Sequence, residues 1–325
     1  MRRTFLQRLA LTASAAALGS VLALLPTAVL AQESFKIMIG ANPGGGYDQT
    51  GRGLGKALQE AKAAGSVTYE NKGGAGGTIG LAQFANASKG DPNALVVTGA
   101  VMVGAIVQNK PPITLENATP VARLIAEYNV FVVPASSPFK TMKDVVEQMK
   151  KDPASVKWGG GSKGSVDHVS VGMIAREAGV DVTKMNYVPF KGGGEATAAI
   201  LGGHVTVGTS GYAELEEFIK AGKMRALAVT SPHRLRGSTV PTLVEQGINV
   251  AIGNWRGVYG APGITPAQRQ KLIDAVSRAT KTKAWADAAA ANNWSPALLT
   301  GDEFARFVDE EHARLRALMV KLGMV

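Results

Sequence analysis

Four glycine-rich loops are the stretches of this sequence best suited to chemistry, because each has the properties of an anion site. They span residues 44–46, 73–77, 159–161 and 192–194. Consecutive glycines leave backbone N–H groups uncovered, and a helix that begins just after such a loop adds the positive end of its dipole. Neutral N–H groups also cost less desolvation than a buried arginine. We therefore expect the four loops to bind a small carboxylate together.

Other types of site are disfavoured by what the sequence lacks. No G-x-G-x-x-G motif follows the first apolar run, and residues 159–165 lack the spacing of a phosphate-binding P-loop. Cysteine is absent, and the four histidines show no metal-ligand spacing. The sequence thus predicts neither a metal site nor a cofactor.

One loop leaves an enzymatic alternative open. The segment Gly208–Tyr212 misses the G-x-S-x-G motif of serine hydrolases by one place. We interpret Ser210 as a hydrogen-bond donor to the ligand, and the alternative is a nucleophilic Ser210 in an exported hydrolase. The favoured interpretation includes no catalytic residue.

Charged and aromatic residues near the loops allow two interpretations each. Asp48 and Asp167 stand at predicted helix starts, where capping of the helix is the simpler role. Trp255 either packs in a core at a domain junction or stacks on the ligand. Arg256 either binds a ligand carboxylate or ties two lobes together through an ion pair.

Short apolar strands alternate with amphipathic helices and would position the loops. The order of strand, glycine turn and helix occurs three times before residue 106 and again between residues 156 and 221. This order predicts an α/β protein with mainly parallel sheets flanked by helices. Because such loops gather at the carboxyl ends of the strands, two facing blocks would present them to one cleft.

The chain is expected to cross twice between two lobes. A Pro- and Ser-rich piece at residues 134–138 marks the first crossing, and residues 254–257 mark the second. We therefore predict one domain from residues 32–133 plus 255–325 and another from residues 134–254. Hinged proteins of two lobes bind ligands in the cleft between them.

The N-terminus predicts export. Basic residues precede an apolar run rich in Ala and Leu, and residues 29–31 have the small-x-small spacing of a cleavage site. Cleavage after Ala31 would leave Gln32 as the first residue and remove a signal peptide of residues 1–31. The doubled arginine at residues 2–3 leaves the Sec and twin-arginine routes both open. Since no cysteine could carry a lipid, we expect a soluble periplasmic protein.

The net charge favours a small anionic ligand over nucleic acid. Removal of residues 1–31 takes away three arginines and lowers the formal charge from +10 to +7. Lys and Arg are scattered and aromatic residues are few, without the basic stripe that nucleic-acid binding usually needs. We expect no nucleic-acid partner.

Taken as a set, the loops and their flanks resemble the solute-binding proteins of tripartite tricarboxylate transporters. The resemblance covers nearly the whole chain after the signal, and residues 80–84 and 101–106 are similar to the citrate-type branch. It implies a two-lobed, periplasmic-binding-protein-like (type II-like) fold that closes on a citrate-like di- or tricarboxylate. The segments that carry it are Asn42–Thr50, Glu70–Gly80, Lys191–Ala196 and Asn254–Gly257.

The same resemblance implies partners and ligand contacts. The receptor would deliver its ligand to a permease with one large and one small membrane subunit, or alternatively act as a periplasmic sensor through a two-component partner. The first two loops would hold one carboxylate and the later loops the distal end, where Lys163 departs from the glycine-richer family pattern. The candidate ligand-binding residues are Gly44, Gly45, Gly46, Tyr47, Gly74, Ala75, Gly76, Gly77, Ser162, Ser165, Asp167, Gly192, Gly193, Gly194, Glu195, Ser210 and Tyr212.

Overall fold

The computed structural model describes residues 33–325. The predicted signal peptide and its cleavage site lie outside these residues. Within them, no helix is both long enough and apolar enough to cross a membrane.

Strands and helices alternate through the described residues. The strands are β1 Ser34–Ile39, β2 Ser66–Asn71, β3 Ala94–Gly99, β4 Thr119–Pro134, β5 Lys157–Gly160, β6 Asn186–Pro189, β7 Val207–Gly211, β8 Met224–Val229, β9 Gly253–Gly260 and β10 Ser295–Thr300. The helices are α1 Gly46–Glu60, α2 Thr78–Ala87, α3 Ala100–Asn109, α4 Met142–Lys151, α5 Val166–Glu177, α6 Gly193–Leu201, α7 Tyr212–Lys220, α8 Pro266–Ala279, α9 Lys283–Ala291 and α10 Gly301–Lys321. The sequence predicts helix starts at Thr141, followed by Asp144, and at Thr265, followed by Pro266, and both threonines are confirmed as capping boxes that open α4 and α8.

The strands form one sheet made of two half-sheets that share β4. The first half-sheet has the order β2-β1-β3-β9-β4, with β10 also paired to β4. The second has the order β4-β7-β5-β6, with β8 also paired to β4. The predicted α/β fold is confirmed, but the sheet is mixed rather than mainly parallel. The reason is that β9 and β4 return antiparallel beside the parallel strands of each half.

Strand β4 connects the two half-sheets. Its first part pairs with β9 and β10, and its last part pairs with β7 and β8. The sequence pattern predicts two separate strands here, because Glu127 and Asn129 interrupt the apolar run. The strand is nevertheless continuous over 16 residues. Glu127 and Asn129 are only 3% and 1% exposed, and both side chains have polar partners in the site described below.

Strand β10 is not expected from the sequence. Its residues show no clear alternation and include Pro296, which weakens a strand prediction. It forms by antiparallel pairing with β4. Pairing with a distant strand, rather than local preference, therefore determines this element.

Three hydrophobic clusters stabilise the half-sheets. The first packs around β1, β3 and β9, and it includes side chains of α8, α9 and α10, so the C-terminal helices pack on the first half-sheet as predicted. The second and third clusters use alternate residues at the end of β4 and cover opposite faces of the second half-sheet. Residues 33–325 belong to one compact unit, and its division into lobes at residues 133–134 and 254–255 stays a prediction.

Candidate functional site

A cavity lies where loops at the carboxyl ends of strands from both half-sheets meet. Its walls come from the segments that follow β1, β2, β5, β6 and β7, and its floor comes from β4 and β9. The volume of the cavity is about 80 Å³, counted as the space open to the centre of a water molecule. The cavity therefore suits one small molecule.

The floor of the cavity is built from four polar side chains on β4 and β9: Asn129, Asn254 and Arg256 line it, and Glu127 is hydrogen-bonded to the last two. Glu127 lies opposite Asn254 in the antiparallel register, and Asn129 and Arg256 lie two residues further along their own strands. Residues two apart on a strand share a face, so all four side chains are on the same side of the sheet. None is more than 5% exposed. The floor is thus polar, charged and shielded from water.

Arg256 joins the two half-sheets through ion pairs. Its Nη2 atom donates to Glu127 and, at 3.1 Å, to Glu214 in the first turn of α7. Gly46 leaves room for the guanidinium, since a Cβ added there would lie 1.7 Å from Nη2. Nη1 is buried without a hydrogen-bond partner among the described residues. The ion pairs expected of Arg256 are therefore present, and Nη1 can still donate to an acceptor in the cavity.

Two further carboxylates reach the cavity from the second half-sheet. Asp167, in the first turn of α5, accepts hydrogen bonds from Asn129 Nδ2 and from Ser165 Oγ, the latter at 3.1 Å. Glu214 accepts a hydrogen bond from Ser210 Oγ at 3.0 Å. The second half-sheet therefore contributes negative charge, whereas the neighbouring Arg256 is positive.

Burial makes two of these acids costly to ionise. Removal from water, assisted by the negative charge of Glu214, raises the pKa of Asp167 to about 6. Burial also raises the pKa of Glu127 to about 7, although Arg256 opposes this shift. The charge of the cavity therefore changes between pH 5 and pH 8.

The side-chain amides of Asn129 and Asn254 are each held in one orientation. Asn129 Nδ2 donates to Asp167, and Asn254 Nδ2 donates to Glu127 at 3.0 Å. Because an ionised carboxylate only accepts hydrogen bonds, reversing either amide would place oxygen against oxygen. Both Oδ1 atoms are buried and accept no hydrogen bond from the described residues. An unsatisfied buried acceptor costs about 1–3 kcal/mol, so the floor favours a ligand that donates a hydrogen bond to each of these two oxygens.

The N-termini of α1 and α6 meet across the cavity. A Cβ added to Gly45 would lie 2.8 Å from the backbone nitrogen of Gly193, so this approach requires glycine. The backbone of Gly45 is ordinary, with φ −97°. The first N–H groups of both helices lack an intrahelical acceptor, and both dipoles end here with positive charge. This part of the cavity favours a carboxylate.

Each of these two helix starts already carries a carboxylate of its own. Asp48 Oδ2 accepts from Gly44 N at 3.1 Å, and Glu195 Oε2 accepts from Lys191 N at 3.2 Å. Asp48 and Asp167 were expected to cap their helices. The N-cap positions instead belong to Gly45 and Ser165, because α1 begins at Gly46 and α5 at Val166, so both aspartates lie inside the first turn. The two aspartates reach back from the first turn to N–H groups of the preceding loop.

The cavity brings together about half of the predicted ligand-binding residues. Those that line it are Gly45, Gly46, Tyr47, Gly76, Ser162, Asp167, Gly192, Gly193 and Ser210. Those outside its lining are Gly44, Gly74, Ala75, Gly77, Ser165, Gly194, Glu195 and Tyr212. Residues 74–77 all have positive φ and so shape the loop backbone. The hydroxyl of Tyr212 lies 3.1 Å from Ser238 Oγ, and Lys163 is exposed outside the lining.

Other side chains near the loops have structural partners. Trp255 packs against Phe304 and Phe307, with ring centroids 5.7 and 5.3 Å away, so its core interpretation is confirmed. Burial lowers the pKa of His168 to about 4, and its ring lies 4.5 Å from that of Tyr187. Among residues 33–325, no group of three or more acidic or histidine side chains could hold a metal ion.

Four residues that decide the polarity of the cavity are absent from the predicted set. Glu127 and Asn129 are polar residues inside an apolar strand, and that interruption was the available signal. Glu214 follows Gly211 by three residues, as Asp48 follows Gly45. Asn254 lies in the Asn-Trp-Arg-Gly motif, directly before Trp255 and Arg256.

Comparisons with known proteins identify the family of this chain. Residues 52–324 match the family described as "Tripartite tricarboxylate transporter family receptor". A UPF0065 protein in the gbd 5' region of Cupriavidus necator is 31% identical over 337 residues, which cover 99% of this chain and 98% of that protein.

Two solved structures have the same fold. The periplasmic binding protein BugD has a TM-score of 0.81 at 22% identity, covering 90% of this chain and 98% of BugD. MatC from Rhodopseudomonas palustris, solved with bound malate, has a TM-score of 0.77 at 23% identity, covering 88% of this chain and 98% of MatC. Because the family match spans most of the chain and the C. necator relative matches almost end to end, this chain belongs to the family of tripartite tricarboxylate transporter receptors.

Proposed function

We propose that this protein is an extracytoplasmic receptor that binds a small di- or tricarboxylate and delivers it to a permease with a large and a small membrane subunit. The observation that carries the proposal is the meeting of the α1 and α6 N-termini beside Arg256, whose Nη1 atom lacks a partner among the described residues. Helix N–H groups, helix dipoles and a guanidinium all favour a carboxylate. Family membership and the malate bound by MatC support this class of ligand, of which citrate is one member.

Residues 32–133 plus 255–325 and residues 134–254 act in this proposal as two lobes that close on the ligand. Strands β4 and β9 lie at the two crossings. The contact between Gly45 and Gly193 and the ion pair between Arg256 and Glu214 join the two sides. Ligand held between the lobes would stabilise the closed form, which the permease would recognise. Signal cleavage after Ala31 and release to the periplasm belong to the same proposal.

Isothermal titration calorimetry on residues 32–325 tests the class of ligand. The probes are citrate, malate, succinate, adipate and benzoate, which differ in length and in the number of carboxylates. Saturable binding of at least one of them, with one equivalent bound, is the expected result. A protein that is folded by circular dichroism and binds none of them would contradict the proposal.

The proposed receptor has no catalytic activity. Among the described residues, Ser210, the candidate nucleophile of the alternative hydrolase, donates to the carboxylate of Glu214, which is itself paired with Arg256, and it has no histidine partner of the kind that activates the serine of a hydrolase triad. An activated ester offered to the wild-type protein should therefore not be turned over. Turnover that is abolished by Ser210→Ala would contradict this part of the proposal.

A further inference from the structure

The floor of the cavity has an excess of negative charge. Two buried carboxylates, those of Glu127 and Glu214, pair with the guanidinium of Arg256, and a third, that of Asp167, lies close enough to repel both. Lys191 also lines the cavity, but its side chain is exposed to solvent. A ligand made only of carboxylates would place further negative charge beside these acids in a region shielded from water. The charge balance therefore favours a ligand with a positive group.

Unsatisfied hydrogen-bond acceptors at the floor of the cavity are a second, independent reason to expect a ligand with a positive group. The Oδ1 atoms of Asn129 and Asn254 are buried acceptors without donors among the described residues, and both side chains line the cavity. At pH 8, where both partner carboxylates are ionised, neither amide can be reversed, because each Nδ2 atom donates to a carboxylate. An ammonium group offers three donors and a positive charge, whereas a hydroxyl offers one donor and no charge. The ammonium group satisfies both requirements.

The opposite side of the cavity needs an acceptor. The first N–H groups of α1 and α6 and the Nη1 atom of Arg256 are donors without acceptors in the described residues. A carboxylate accepts from several donors at once. The cavity therefore has a donor side and an acceptor side.

We infer that the ligand is a small carboxylate that also bears a protonated amine. The ammonium group lies on the amide oxygens of Asn129 and Asn254 beside Asp167, and the carboxylate lies at the N-termini of α1 and α6. This inference rests on the proposed function, because it specifies which carboxylates the receptor takes.

Calorimetry with matched ligands tests the inference. L-aspartate, L-malate and succinate share a skeleton and differ only in an amine, a hydroxyl or hydrogen, and 4-aminobutyrate with butyrate forms a second set. Each is titrated into residues 32–325 at pH 8, where Asp167 is ionised. The amine is expected to bind at least tenfold tighter than its unsubstituted partner in at least one set. Malate should lie between aspartate and succinate, since its hydroxyl donates without charge.

The variant Asp167→Asn separates charge from shape. Loss of the carboxylate should weaken binding of the amine at least tenfold and leave the affinity for the unsubstituted partner equal or higher. A folding defect would weaken both, so the opposite responses identify an electrostatic role. Asp181→Asn makes the same change at an exposed residue outside the cavity, and it should leave both affinities unchanged.

The outcomes distinguish the inference from the proposed function. If the unsubstituted carboxylate binds as tightly as the amine in every set, or if Asp167→Asn weakens both alike, the inference is overturned and the carboxylate receptor stands. If no probe binds, both are overturned.

Discussion

The two walls of the cavity are built from similar glycine-rich loops but differ in charge. The wall from the first half-sheet presents the backbone of Gly45, Gly46 and Gly76. The wall from the second half-sheet also presents glycine backbone, but adds the carboxylates of Asp167 and Glu214. A glycine loop determines the available space and the exposed N–H groups. The charge of each wall depends instead on side chains in the first turn of the helix that follows.

The acids in these first turns have different partners despite similar spacing. Asp48 and Glu195 turn back to an N–H group of their own loop, and Glu214 turns toward the cavity, where it binds a serine hydroxyl and Arg256. These three acids all follow their first partner by four residues, whereas Asp167 both binds the N–H group of Gly161 and lines the cavity. Neighbouring groups in the fold, rather than spacing, decide which acid faces the ligand.

The largest effect is expected from removing the cation between the walls. Arg256→Gln leaves Glu127 and Glu214 buried without their ion-pair partner, which should lower the free energy of unfolding by about 3–5 kcal/mol. Urea denaturation at pH 7.5 measures this change. The double variant Arg256→Gln with Glu127→Gln removes one buried charge together with its partner and should recover most of the loss. A single variant as stable as wild type would show that the ion pairs do not support the junction.

Blocking the approach of the walls should abolish binding with little loss of stability. In Gly45→Val a branched side chain would meet the backbone nitrogen of Gly193. Because φ at Gly45 is −97°, valine fits the backbone, and we expect the free energy of unfolding to fall by only about 1 kcal/mol. Ligand affinity should fall at least a hundredfold by calorimetry, and small-angle scattering should show a more open shape.

Gly45→Ala is the graded control, since its single methyl group demands a smaller shift of the opposite loop. It should bind more weakly than wild type and more tightly than Gly45→Val. Equal affinity in all three proteins would mean that this contact is not formed in the liganded protein.

The buried acids predict a stability that falls as pH rises. The pKa values of Asp167 and Glu127 are raised by burial to about 6 and about 7, so their stabilising contribution is complete below the unfolded values near 4 and is lost through this range. A pKa that is higher by one in the folded protein corresponds to about 1.4 kcal/mol. Besides burial, Glu214, Ser165 and the N–H group of Gly161 act on the pKa of Asp167, and Arg256, Glu214 and Asp167 act on the pKa of Glu127.

Urea denaturation between pH 4.5 and pH 8 measures this dependence. The double variant Asp167→Asn with Glu127→Gln should show a flatter pH profile than the wild type, because its two amides do not titrate. Parallel profiles for the two proteins would contradict the raised pKa values.

The smallest effect is expected at the exposed acid of α6. Glu195 is solvent-exposed, so Glu195→Gln should change the free energy of unfolding by less than about 1 kcal/mol. The loss of a negative charge near the α6 N-terminus should strengthen carboxylate binding slightly, by less than about threefold. Asp48→Asn provides the contrast, because Asp48 is buried and its pKa is lowered by Arg52 and Asn71 despite burial. Equal effects of the two variants on the free energy of unfolding would contradict the expected contrast between the buried Asp48 and the exposed Glu195.

Much of the fold was predictable because it follows from local sequence. Apolar runs and glycine turns located most of the strands and helices, and Thr141 and Thr265 marked two helix starts. The continuity of β4 and the presence of β10 were not predictable, because both depend on pairing between segments far apart in sequence.

Local patterns of glycine and apolar residues were sufficient to identify the α/β class and the loops that surround the cavity, and the motifs in and around those loops carried the family resemblance. The polarity of the site, in contrast, depends on how distant segments pack together. Arg256 and Glu127 are 129 positions apart in the chain, and they pair because β4 and β9 lie side by side. Local periodicity contains no information on such a pair. Local periodicity therefore indicated only an anion site, whereas the fold also places buried acceptors and carboxylates opposite the helix N-termini.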